Sequence, residues 1–397
     1  MRILEVAPDF PPVVRGGGAQ TFYLLADSWV RLGHKVTVLT SAPGANLSMF
    51  QAENFGFELR PFPLFNPPKN RENLTYHMPM RFGSIRAYRK YLKDAVKEFD
   101  LIVIHGFLET LPLISLLFID KKFLKKVVLT NHGLSTAEYS PIIHQVSKLA
   151  YNSLGRIILS GIQKVVMYSK SALNEFKEYY PSKPIESLII HPLGIDAETL
   201  RNSFKEYLNR GLEITDRKEI ENGKSYFLAI GRNAHIKGFD ILLRSLSLLS
   251  EEHFRPVLLI AGDRTPYTEH LEKLAYDLGL GSQVSFLGRI NEAQKIGLMA
   301  ECQALVIPSL KEGYGINAIE GRTLGIPVIA TDTGAHNEIL GHYQHGIIIP
   351  PGNSNALADA MRNFMDSPRR RTVEINEEYL SSVDIKALAE FYLGLVG

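Results

Sequence analysis

The chain has 397 residues, 45% of them hydrophobic and 22% charged, with a net charge of +2. That length holds about two or three domains, each with its own core, and the balance is that of a soluble globular protein, without the long basic run of a nucleic-acid binder. The single cysteine, Cys302, excludes an intrachain disulfide, so nothing in the composition asks for an oxidising compartment.

Glu5 and Asp9 interrupt the first apolar stretch, which reads as a buried strand, Ile3 to Ala7, and not as a signal peptide. Three glycines, 16 to 18, then open a helix from Ala19 to Leu32, with Phe22, Leu25, Ala26 and Trp29 on one face. Gly33 caps it, and Lys35 to Thr40 is the next strand. This unit is Rossmann-like but lacks G-x-G-x-x-G, so a dinucleotide is not the favoured ligand. Three glycines at a helix start suit a diphosphate, and equally a plain turn. Residues 53 to 80, rich in Pro, Phe and Asn, read as an insertion or loop. A helix over 84–99 buries Ile85, Tyr88, Leu92 and Val96 and turns Arg86, Arg89, Lys90, Lys93 and Lys97 outward. Leu111 to Ile119 falls short of the roughly 20 apolar residues that a membrane span requires, and a cytoplasmic location is expected. Strands Asp100 to His105 and Val127 to Asn131 lead to His105 and His132 at their C-terminal ends, where open α/β sheets bind ligands.

Further strands are predicted at 164–168 and 188–191. A polar stretch from Pro192 to Lys224 holds the domain boundary. The alternation restarts at Tyr226 to Ile230, and its strands end in Gly231-Arg232, Gly262-Asp263 and Gly288-Arg289. The organisation expected is a first domain over 1–200, a second over 201–380, and a closing helix in 381–397 that crosses back to the first.

The most informative stretch runs from Ile307 through Pro308, Ser309, Glu312, Gly313, Tyr314, Gly315, Ile316 and Asn317 to Glu320. A strand enters a glycine-punctuated loop, and a helix opens near Ile316. Backbone N–H groups there can approach an anion. A carboxylate in the loop, Glu312, and one a turn into the helix, Glu320, can bind sugar hydroxyls. Arg232 and Lys237, after an earlier strand, offer two cations for a departing diphosphate. No metal set is visible: paired histidines at i, i+4 and the Asp-x-Asp of some sugar transferases are both absent. Nor does the sequence show Ser-His-Asp or Cys-His spacing.

These motifs resemble the retaining glycosyltransferases of family four. The resemblance rests on Glu312-x7-Glu320 inside Pro308-Ser309-x-x-Glu-Gly-Tyr-Gly, on Gly325-Ile-Pro-Val-Ile-Ala, and on Gly334-x-x-x-Glu338. It implies the GT-B fold, two Rossmann-like doubly wound domains facing each other across a cleft. It also implies transfer of a hexose from a nucleotide-diphosphate sugar to an acceptor hydroxyl, with no metal or resident cofactor. By position, Glu320 would bind the donor ribose and Glu312 the transferred sugar. Arg232 and Lys237 would hold the diphosphate, with amides of Gly17, Gly18, Gly313, Tyr314, Gly315, Ile316 and Asn317 completing the cradle. The backbone near Arg289 and Ile290 would face the base. His132 would meet the donor sugar, with His105 as its competitor. The sequence departs from the family at Gly321-Arg322-Thr323 and at Gly334-Ala335.

The acceptor is expected to be a glycan, a lipid-linked molecule or a small molecule, and nucleic acid is not an expected partner. The basic segment 84–97 with Lys121 to Lys126 suits either an anionic membrane surface or a solvated helix face. Two other readings fit the fold: a different GT-B activity such as a sugar-nucleotide epimerase, and a non-catalytic binding protein.

Overall fold

Short β-branched and aliphatic runs separated by helices can only be buried on both faces, and they assemble into parallel sheets. The computed structural model describes residues 1–11, 17–43, 55–64, 82–106, 109–131, 159, 161–179, 187–210, 225–251, 256–365 and 377–396. His132 and Gly16 lie outside these. By contacts the chain divides into two units, Met1–Asp196 with Ser382–Gly397, and Ala197–Ser381.

The first unit runs β1 (Arg2–Ala7), α1 (Gly17–Arg31), β2 (Lys35–Pro43), β3 (Glu58–Leu64), α2 (Phe82–Ala95), β4 (Leu101–His105) and α3 (Thr110–Phe118). A 3-10 turn (Lys121–Lys126), β5 (Val127–Asn131), β6 (Lys164–Met167), α4 (Lys170–Tyr179) and β7 (Leu188–Ile190) follow. Its seven strands are parallel, in the order β3-β2-β1-β4-β5-β6-β7. Strand β3 lies inside the Pro-, Phe- and Asn-rich stretch, without a clear period, that the sequence predicts as an insertion or loop; Pro61 and Pro63 there oppose a strand. Spaced by two, they remove donors from one side of the strand only, and β3 is the sheet's edge.

The second unit runs α5 (Ala197–Arg210), β8 (Tyr226–Ile230), α6 (Phe239–Glu251), β9 (Val257–Ala261), α7 (Pro266–Asp277), β10 (Val284–Gly288) and α8 (Glu292–Glu301). It continues through β11 (Ala304–Ile307), α9 (Ile316–Thr323), β12 (Val328–Thr331), α10 (His336–Leu340), β13 (Gly346–Ile349), α11 (Ser354–Met365) and α12 (Glu377–Ser382). The sheet order is β10-β9-β8-β11-β12-β13, again all parallel. Helix α5 occupies part of the polar stretch in which the sequence places the domain boundary.

In both sheets the chain builds outward on one side of the first strand and then returns to its other side. The reversal therefore lies between β1 and β4 in one unit and between β8 and β11 in the other. Strand alternation sends Leu4, Val6, Ile102 and Ile104 into a core with Tyr88 and Leu92 of α2. The final helix α13 (Ile385–Gly394) packs on α1 within the first unit, where Trp29 Nε1 donates to the Ala389 carbonyl at 3.1 Å and Tyr392 meets the Trp29 ring edge-on. The second core gathers Phe227, Ala229, Leu242, Leu246, Leu258, Ile260, Leu357 and Met361.

Candidate active site

At the β8/β11 reversal, β8 passes through Gly231 and Arg232 into one 3-10 turn, His235–Lys237. Gly238 ends that turn at φ 64, and any Cβ there would overlap the Pro308 carbonyl at the end of β11. The close approach, with Leu310 N donating to Ile236 O at 2.8 Å, presses the turn onto the loop that follows β11. Lys237 Nζ thereby reaches Glu312 Oε2 at 2.7 Å, and Ser309 Oγ donates to the same oxygen at 2.9 Å. Burial alone would raise the Glu312 carboxyl. Lys237, through its charge and hydrogen bond, together with His336 and Ser309, outweighs burial and holds Glu312 below the ordinary carboxylate range.

Helix α9 begins directly after this loop with Gly315 at its N-cap, φ 103, and no side chain caps its first amides. A Cβ on Gly315 would stand 2.6 Å from Nε2 of His336, which lies fully buried beneath it. His336 Nδ1 donates to the Thr331 carbonyl at 2.9 Å, so in the neutral ring Nε2 is the bare acceptor, and it has no hydrogen-bond partner. Burial lowers the imidazole below its ordinary value despite the opposing pull of Glu312. The Asn317 side chain is occupied: Nδ2 donates to the Ile230 carbonyl at 2.8 Å and fastens α9 to β8. Asn317 thus offers its backbone N–H.

Glu320, in the second turn of α9, holds a different lysine. Lys295 Nζ of α8 donates to Glu320 Oε1 at 2.7 Å and pairs with Glu292 Oε1 at 2.7 Å, while Glu320 Oε2 is buried without a partner. Burial raises the Glu320 carboxyl above its ordinary value, and Lys295 only partly offsets this. Burial would lower the Lys295 ammonium, but Glu320 and Glu292 lift it above its ordinary value. At the neighbouring strand ends, Arg289 pairs with Asp263 at 3.2 Å with both side chains about half exposed, and Ile290 is half-buried. Arg232 is exposed at the end of β8. Among the described residues, no group of three or more His, Cys, Asp or Glu is placed to hold a metal ion.

Two families match the chain: "Glycosyltransferase Family 4" over residues 15–199 and "Glycosyl transferases group 1" over residues 212–379. An uncharacterized glycosyltransferase of Methanocaldococcus jannaschii is 27% identical over 90% of this chain and 87% of its own length. Glycogen synthase of Mycobacterium tuberculosis is 24% identical over 98% of this chain and 92% of its own. The Anabaena protein HepE, solved with UDP and glucose, superposes with a TM-score of 0.65 at 18% identity, covering 100% of this chain and 97% of that one. The chain belongs to the family-four, group 1 glycosyltransferases.

As a glycosyltransferase of the GT-B fold it carries the departures noted above with local compensation. Ala335 sits at φ −96, where a Cβ causes no strain, while Gly334 at φ 55 passes 2.7 Å from the Glu312 carbonyl at its would-be Cβ and has to stay glycine. Arg322 donates to the Ile339 carbonyl and stacks on the Tyr379 ring of α12, so its charge is engaged away from the loop. In the first unit Gly17 and Gly18 form the exposed first turn of α1. His105 is fully buried: Nε2 meets Glu5 at 2.7 Å, Nδ1 meets Thr130 Oγ1 at 2.9 Å, and the ring stacks on Phe22. It is enclosed in the core of the first unit; His132, the other candidate, lies outside the described residues.

Sequence reasoning did not assign Ser309, Lys295 or His336. Ser309 and His336 fall within stretches it singled out. Lys295 lies on another helix, and no signal in the sequence links it to Glu320.

Proposed function

We propose that this glycosyltransferase moves a hexose from a nucleotide-diphosphate sugar to an acceptor hydroxyl with retention of configuration. The second unit is the donor side in this reading, and the first unit the acceptor side. The observation that carries it is the partly buried Lys237–Glu312 pair set at the uncapped start of α9, where an anion is drawn by the helix dipole and amides. Lys237 and Arg232 offset charge as the diphosphate leaves, Glu312 accepts from hydroxyls of the sugar, and Glu320 accepts from the ribose. His132, Gly17 and Gly18 are assigned to the donor sugar and diphosphate by the family resemblance alone. The acceptor oxygen bonds to the anomeric carbon, the carbon–phosphate-oxygen bond breaks, and the diphosphate takes its electron pair and then the acceptor's proton. Cations and amides do the work that a divalent ion does elsewhere, so a chelator should leave turnover unchanged.

HepE, of the same fold, was solved with UDP and glucose, which supports a nucleotide-linked donor here. A thermal-shift screen of UDP-, GDP- and ADP-sugars, followed by mass spectrometry and anomeric NMR of products, tests the whole reading. A product of inverted configuration would remove the retaining assignment. Conversion of the donor with no acceptor present would favour the epimerase.

A peripheral membrane contact is part of the proposal. Helix α2 and the 3-10 turn expose Arg86, Arg89, Lys90, Lys93, Lys121, Lys122 and Lys125. Arg89 leans over Phe118 of α3, whose neighbour Leu117 is 57% exposed. Cations around an exposed apolar residue suit an anionic lipid surface and a lipid-linked acceptor. Among the described residues no helix is long and apolar enough to cross a membrane. Flotation with vesicles should require anionic lipid; equal flotation with neutral lipid would end the idea.

A further inference from the structure

We infer that Lys295 is a positioning residue that sets Glu320 as an acceptor for ribose, and so makes the enzyme select ribonucleotide over deoxyribonucleotide donors. The inference rests on the proposed role of Glu320 in binding the donor ribose.

Lys295 is positioned by its helix. Asn291 and Gln294 form a reciprocal capping box, with Gln294 N donating to Asn291 Oδ1 at 2.8 Å and Asn291 N to Gln294 Oε1 at 2.9 Å. That fixes the first turn of α8, and Lys295 is the next residue. Its side chain, 15% exposed, reaches Glu320, 11% exposed, while Glu292 of its own helix steadies the ammonium from the solvent side. The three charges sum to minus one.

The asymmetry at Glu320 is the second observation. One oxygen, Oε1, accepts a hydrogen bond from Lys295, and the other, Oε2, is buried with no partner. An ionised carboxylate only accepts hydrogen bonds. With Lys295 holding Oε1, Oε2 and the remaining lone pair of Oε1 are left to accept from a donor that reaches them. The two adjacent hydroxyls of a ribose are such donors; a deoxyribose brings only one. Without Lys295 the upward push of burial on the Glu320 carboxyl is unopposed, so the protonated form, which can donate, is favoured and both orientation and preference weaken.

The test is calorimetric titration of the full-length enzyme with UDP, GDP and ADP and their 2′-deoxy counterparts. Wild type is expected to prefer the ribonucleotide it binds by tenfold or more, the usual scale for a hydrogen bond to a charged group. Lys295→Met should shrink that preference to about twofold and raise the donor KM more than it lowers kcat, with the preference returning as pH rises and Glu320 ionises. Lys295→Arg should keep it, and Glu292→Gln should leave it near wild type. Removing one partner of a buried pair can unfold a protein, so Lys295→Gln, which retains a donor, is run beside Lys295→Met. A folded Lys295→Met or Lys295→Gln with the wild-type preference at every pH overturns the role of Lys295. If Glu320→Ala then still abolishes the preference, the ribose reading stands without Lys295. A wild type indifferent to the 2′-hydroxyl, or a Glu320→Ala enzyme that keeps the preference, removes the ribose reading itself.

Discussion

The two units share one winding scheme, yet they place their buried charge differently. In the first, Glu5 and His105 lie within β1 and β4, fully enclosed, with Phe22 of α1 stacked on the imidazole. In the second, Lys237, Glu312, Lys295 and Glu320 lie beyond the strand ends, in a turn, a loop and helices, and each retains some exposure. A charge inside a strand of a doubly wound sheet is sealed by the covering helices and can only be structural. A charge just past the strand's C-terminal end is half desolvated, which strengthens its field while leaving it reachable. Position relative to the strand end, more than residue type, separates core from site.

The largest expected effect tests the site half of that contrast. Lys237→Ala removes the cation from Glu312, and turnover should fall by about 10² to 10³, the usual scale for losing one stabilising donor. Donor KM should change less, since the charge matters most as the phosphate departs. Steady-state kinetics with wild-type turnover would place Lys237 outside the reaction.

The core half should respond in stability alone. His105→Ala leaves Glu5 buried without its imidazole and should cost about 3–5 kcal/mol by denaturant titration, with activity per folded molecule unchanged. Lost activity in fully folded protein would return His105 to the site. The two carboxylates should also differ in their response to pH. Burial raises Glu5 well above its ordinary value, so its contribution is full below the ordinary carboxylate pKa and is lost as pH rises through the folded value. Glu312 is depressed, so its contribution is present above the ordinary value and is lost as pH falls through the folded one. Stability of Glu5→Gln relative to wild type should therefore grow with rising pH, and that of Glu312→Gln with falling pH. Parallel curves for the two would break the comparison.

Gly315→Ala acts on the ground between site and core. The position needs a left-handed φ of 103, and the new methyl would meet His336 at 2.6 Å. Strain and overpacking together should cost about 2–4 kcal/mol, and adding His336→Ala should recover part of it. A double variant no more stable than the single one would show that backbone strain alone is responsible.

How much of this was legible follows from the same physics. The strands flanking each reversal were readable because full burial leaves apolar runs such as Ile3 to Ala7 and Ala304 to Ile307. The Glu312 loop was readable because glycine, proline and carboxylate sit at fixed local spacings. Edge strand β3 was not, since its prolines carry the strand-breaker signal and only the sheet order explains them. The partners were also hidden. His105 meets Glu5 100 residues away, and Lys295 meets Glu320 25 residues away on another helix. Sequence shows which charges exist; the tertiary fold decides which of them are enclosed together.

The smallest effect concerns the rim. Arg289 and Asp263 pair at adjoining strand ends, but with 56% and 51% exposure their bond is screened by water. Arg289→Ala should alter stability by less than about 0.5 kcal/mol. The proposed assignment gives the base contacts here to the backbone, so donor affinity should shift only a few-fold, and mainly through the turn's geometry. If titration instead showed a loss of tenfold or more for one base and not the others, the guanidinium itself would read the base. The contrast between reachable and sealed charge would then extend to the exposed rim of the sheet, where desolvation is weakest and specificity has to come from geometry.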